Sequence, residues 1–87
     1  EFKSVPNPVK GKETLSLRFS PAPGFELTVR LFNTAGELVS STRAGAGTGS
    51  CTLRHEALAP GIYVAVIDLR QGEVLMRRLS LKIGVVQ

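Results

Sequence analysis

Cys51 and His55 are the nucleophile and the base nearest to each other in this chain. On a strand, residues four apart share a face but stand about 13 Å from one another. A nucleophile and its base need hydrogen-bond reach, so this spacing forms no local dyad. Cys51 reads instead as a small buried core residue, and His55 as an ordinary strand-end or surface histidine. The carboxylates are Glu1, Glu13, Glu26, Glu37, Glu56, Asp68 and Glu73, scattered over turns and outward strand positions. A paired-acid hydrolase needs two of them converging on a cleft, and a calcium loop needs several oxygen ligands in one segment. Neither pattern is present. One cysteine and one histidine supply neither an internal disulfide nor a zinc cluster. Asp68 stands out among the acids, because it lies near the end of the most apolar stretch. It either meets Arg70, Arg77 or Arg78 across a hairpin or marks where its face reaches solvent.

Ala44-Gly-Ala-Gly-Thr-Gly-Ser50 looks at first like a phosphate loop. A dinucleotide fingerprint would need a helix after it, and a Walker loop would need a lysine and a hydroxyl residue. Cys51-Thr52 follows instead, so the segment is read as a mobile hairpin or crossover loop, dispensable for folding. Tyr63, the lone tyrosine, is expected to bury its ring and reach a backbone partner at the rim. With no tryptophan in the chain, an aromatic carbohydrate platform is not indicated. No enzyme, no cofactor and no small-molecule substrate is expected.

The elements that carry these residues are strands. Gly61-Ile-Tyr-Val-Ala-Val-Ile-Asp-Leu69 is the longest β-branched and aromatic run. Ile62, Val64 and Val66 fall on one face and Tyr63, Ala65, Ile67 and Leu69 on the other. Both faces are mostly apolar, which predicts an inner strand covered on both sides for much of its length. Thr14–Phe19 alternates with Leu15, Leu17 and Phe19 inward; Phe25–Phe32 does so with Leu27, Val29 and Leu31. Asn33-Thr-Ala-Gly36 signals a hairpin turn, returning along a poorly apolar edge strand, Glu37–Arg43. Cys51–His55 resumes the alternation, and Leu58 is expected to drop into the core from a short link over 56–59. The last strand runs from about Glu73 to Ile83, where its apolar parity switches. Either a bulge near Met76–Arg78 reconciles the halves or Arg77 snorkels at an edge. Six strands result, or seven if the first residues pair. The fold class is all-β, a small Ig-like antiparallel β-sandwich.

Eighty-seven residues suffice for one domain, burying roughly 60–65% of its unfolded surface. Residues 1–8 read as a lead-in or linker end, because Pro6 and Pro8 restrict their neighbours, and 9–87 as the single folded body. The net charge is +4, from eleven basic and seven acidic side chains. The basic residues are dispersed, without a recognition helix or interleaved aromatics, so nucleic acid is not an expected partner. There is no apolar run near the length of a membrane helix and no signal peptide at the start. The first residue is not Met, so the chain reads as a piece of something longer.

Motif order adds a resemblance. Pro6-Asn7-Pro8, then Leu15-Ser-Leu17, Val29-Arg-Leu-Phe-Asn33-Thr-Ala-Gly36-Glu-Leu-Val39, Leu58-Ala-Pro-Gly61-Ile-Tyr63 and Gly72 precede a basic-apolar last strand. This resembles the C-terminal sorting domain of the type IX, or Por, secretion system of Bacteroidetes. The resemblance implies a non-catalytic signal at the end of a larger cargo protein. Its implied partners are the type IX outer-membrane translocon and a sortase-like processing enzyme. The implied route runs through the periplasm to the cell surface or medium, with the domain then cleaved. Residues matching the recurring motifs are Pro6, Asn7, Pro8, Gly36, Gly61, Tyr63, Gly72, Arg78 and Lys82, with recognition concentrated in the last strands. The tail departs from the pattern by continuing as Ile83-Gly-Val-Val-Gln87. The chain is also similar to the Ig-like domain of flagellar hook-capping proteins, which implies a structural or interaction module. That relative usually carries a Trp-Asp-Gly segment where this chain has Leu53-Arg-His-Glu56.

Overall fold

Alternating apolar residues give two sheets that share one core. A computed structural model describes residues 2–11, 13–55 and 58–86. Eight strands occur among them: β1 (Lys3–Val5), β2 (Val9–Lys10), β3 (Leu15–Arg18), β4 (Glu26–Phe32), β5 (Leu38–Gly45), β6 (Ser50–Leu53), β7 (Gly61–Gln71) and β8 (Val74–Val86). One sheet has the order β1-β3-β6 and the other β2-β8-β7-β4-β5. All pairs are antiparallel except the short β2–β8 pair. The count exceeds the six or seven expected. Lys3–Val5 pairs with β3, and Val9–Lys10 pairs with the far end of β8.

The core lies between the sheets. Leu15, Leu17 and Leu53 from the smaller sheet meet Leu27, Val29, Leu31, Ala65, Ile67 and Ile83 from the larger one, all buried. Burying each of these larger side chains contributes about 1.5–3 kcal/mol. Phe2 stacks on Phe19 with centroids 5.2 Å apart, tying the chain's start to the core.

β7 is an inner strand by position, between β8 and β4. It is not covered on both sides. Tyr63, Ala65 and Ile67 are buried, while Val64 and Val66 are half-buried and Ile62 is 54% exposed. The described residues form only two layers, so nothing remains to cover the second face of the larger sheet. Apolar residues on that face are partly shielded by neighbouring strands rather than by a third layer.

The bulge expected in the last strand is present. Leu69 pairs with Arg77 and Arg70 with Leu75, which leaves Met76 unopposed. One extra residue switches the parity, so Leu79, Leu81 and Ile83 face the core while Val74 and Met76 are exposed. The β7–β8 connection is the two-residue turn Gly72-Glu73, with Gly72 at φ 61°. Positive φ at the first turn position matches strand twist in a tight hairpin.

The glycine-rich segment is packed, contrary to expectation. β5 continues to Gly45, and Ala46 is fully buried. Ala46 N–H donates to the Phe25 carbonyl at 2.9 Å, and the Ala46 carbonyl accepts from Ala22 N–H at 2.7 Å. Phe19 N–H donates to the Gly49 carbonyl at 3.0 Å. The glycines permit this close backbone approach. A Cβ on Gly49, at φ 78°, would stand 2.9 Å from the Phe19 carbonyl oxygen. The link at 56–57 lies outside the described residues; Leu58 beyond it packs partly against the core.

Candidate functional site

Cys51 and His55 hold no catalytic arrangement. Cys51 Sγ–H donates weakly to the neighbouring Thr52 carbonyl at 3.8 Å, and burial pushes its pKa up. That is the opposite of what activates a thiol. His55 is only 3% exposed, so it is not a surface residue. Its Nε2–H donates to the Gly11 carbonyl at 3.1 Å, bridging the end of β6 to the turn after β2. The apolar side of β6 continues past the strand, which draws the ring inward. Among the described residues no three His, Cys, Asp or Glu side chains converge as metal ligands.

The most organised polar group lies on the outer face of the larger sheet. Asp68 on β7 is 3% exposed, yet it sits on the face away from the core. Arg78 on β8 donates to it twice, Nε to Oδ1 at 2.6 Å and Nη2 to Oδ2 at 2.8 Å. Arg30 on β4 donates Nη2 to Oδ2 at 3.2 Å. The Arg78 hydrogen bonds hold the Asp68 carboxyl below the usual range, against the opposing effect of burial. Of the three partners the sequence offered, Arg78 is the one used; Arg30 went unrecognised. Outward parity was its only signal, because parity does not give the register between β4 and β7.

A second arrangement joins the two ends of the chain. Pro6-Asn7-Pro8 forms the bend between β1 and β2, with a cis peptide at Asn7–Pro8. Asn7 Nδ2 donates to the Lys82 carbonyl at 3.0 Å, and Gly84 N–H donates to Asn7 Oδ1 at 2.9 Å. One side-chain amide thus satisfies two outward backbone groups of β8, as a neighbouring strand would. Gly84 makes room for it: a Cβ there would meet Pro8 Cβ at 3.3 Å. Gly84 was missed, since a tight approach from a distant segment leaves no local pattern. Beside this contact lies a hollow of about 440 Å³, lined by Phe2, Pro6, Leu81 and Lys82 among others.

The remaining candidates separate by position. Gly36, at φ 83°, closes the β4–β5 hairpin, where Asn33 Oδ1 accepts from Ala35 and Glu37 N–H. Gly61 opens β7 opposite Val85. Tyr63 is buried, and its hydroxyl donates to the Ala59 carbonyl at 2.6 Å. These lie toward the sheet end where Asn7 meets Lys82, because β4 ends and β7 begins there. Gly72 and Arg78 lie toward the other end. Pro6, Asn7, Pro8 and Lys82 are therefore brought together, and the other candidates are not gathered with them into one site.

These features tie strands together and present surface; none assembles reacting groups. The pattern of the family described as the secretion system C-terminal sorting domain matches residues 4–82. The matched span starts inside β1 and ends at Lys82, taking in the Asn7–Lys82 contact and all but the end of β8. No curated protein matches the chain.

Proposed function

We propose a folded-signal role for this chain, which belongs to the secretion system C-terminal sorting domain family. Domains of this family are non-catalytic signals that direct proteins through the type IX secretion pathway to the cell surface or the medium. This chain is such a signal, and the type IX translocon and sortase machinery generally recognises its kind.

The body is an Ig-like sandwich over residues 9–87, and residues 1–8 are the lead-in from a cargo domain; within that lead-in, Lys3–Val5 adds β1 to the smaller sheet. The Tyr63 hydroxyl supports this architecture, bonding back to a carbonyl four residues upstream as the tyrosine corner of such sandwiches does. Pro6, Asn7, Pro8, Gly36, Gly61, Tyr63, Gly72, Arg78 and Lys82 hold or form the surface that is recognised. The domain is removed after transit by a sortase-like enzyme. The observation that carries this reading is the Asn7 side chain seated on β8, because it fixes the lead-in against the last strand.

A reporter fused ahead of residues 1–87 in a type IX host tests it. Asn7→Ala should cost roughly 1–3 kcal/mol of stability, the worth of the two net hydrogen bonds it removes. It should lower surface reporter several-fold, well beyond that stability loss. Unchanged export would remove Asn7 from the recognised group. A surface reporter still carrying the 9.3 kDa domain would contradict removal.

A further inference from the structure

The outer face of the larger sheet carries a charge imbalance around Asp68. Register places Arg43, Thr28, Asp68 and Arg78 in one row across β5, β4, β7 and β8. Arg30 and Arg70 flank that row on opposite sides, each two residues along its own strand. These six side chains line a hollow of about 320 Å³. Arg43 is paired with Glu26 at 2.6 Å, and Asp68 takes Arg78 and Arg30. Four guanidinium groups thus face two carboxylates, an excess of two positive charges. Arg30 Nε is shut off from solvent without a hydrogen-bond partner, and Arg70 forms no ion pair among the described residues.

Like charges on neighbouring strands oppose one another. Gathering four arginines here is therefore a cost that a bound anion would relieve. We infer that this hollow binds a phosphate group as its dianion. Guanidinium groups recognise phosphate oxygens with directional, charge-assisted hydrogen bonds. Donors arrive from several strands, which suits a tetrahedral group with several oxygens better than a planar carboxylate with two. The Thr28 hydroxyl adds a neutral donor, and a double negative charge matches the excess.

The phosphate is either free in solution or carried as a monoester on a lipid headgroup, and one set of measurements separates these. The 87-residue chain is titrated with inorganic phosphate at low ionic strength, following arginine Nε–H and backbone amide resonances. Saturable shifts are expected at Arg30, Arg70 and Arg78 and at the amides of Thr28 and Asp68, and not with chloride at matched ionic strength. Arg70→Gln should weaken binding about tenfold, the loss of one charge-assisted contact. Asp68→Asn should tighten it by removing the competing carboxylate; if that variant fails to fold, Arg70→Gln decides alone. Sedimentation with phosphatidic acid vesicles but not phosphatidylcholine vesicles, lost in Arg70→Gln, would identify a headgroup source. Phosphate binding without vesicle binding would identify a soluble one. Linear, chloride-like shifts, or an Arg70→Gln chain that binds as the wild type does, would overturn the proposal.

Discussion

Asp68 takes three hydrogen bonds from arginines on two flanking strands. It pins β4, β7 and β8 together on the face that no second sheet covers. Its carboxyl is held below the ordinary range, chiefly by the Arg78 hydrogen bonds. A depressed folded value contributes stability that is complete above the unfolded value, near 3.9, and is lost as pH falls through the folded one. Thermal unfolding followed from pH 6 downward should therefore show a decline below about pH 4. Asp68→Asn should lose roughly 1–3 kcal/mol at neutral pH and flatten that decline. Parallel curves for the two proteins would refute the role given to Asp68. The sequence placed Asp68 among arginines because hairpin neighbours can be counted along the chain. Arg30 is thirty-eight positions away, and no counting reaches it.

At the scale of elements, alternation located most strands and even the parity switch at Met76. Side-chain parity is local and binary, so two apolar stripes out of phase demand one extra residue. Two readings failed for non-local reasons. Apolar residues on both faces of β7 suggested two covering layers, while the other sheet covers only one. The segment 44–50 has the composition of a free loop, yet Ala46 and Gly49 are stitched to 19–25 by backbone hydrogen bonds. Small residues there permit close approach, which composition alone does not distinguish from mobility. Gly49→Ala should consequently destabilise the fold by about 1–3 kcal/mol, through strain at positive φ and contact with Phe19. Denaturant unfolding measures this. A midpoint equal to wild type would mean that the segment yields freely, as the sequence first suggested.

The described residues form two small sheets around one apolar core. β8 is the last strand and the longest, and β2 pairs with it only at Val85 and Val86. Asn7 covers two further backbone groups at Lys82 and Gly84. Outward backbone groups earlier in β8 lack a second ladder strand, which leaves an edge available to a partner. This suits a signal read by other proteins, and the motif order in the sequence points to the same family. What the sequence concealed was how the first motif and the last strand meet, since Asn7 and Gly84 are seventy-seven positions apart. The most direct test places residues 1–87 behind a signal peptide and a fluorescent reporter, in a type IX host and in its translocon-null derivative. The account predicts reporter at the surface or in the medium of the competent strain alone. Reporter held in the periplasm of both strains, with the domain folded, would contradict it.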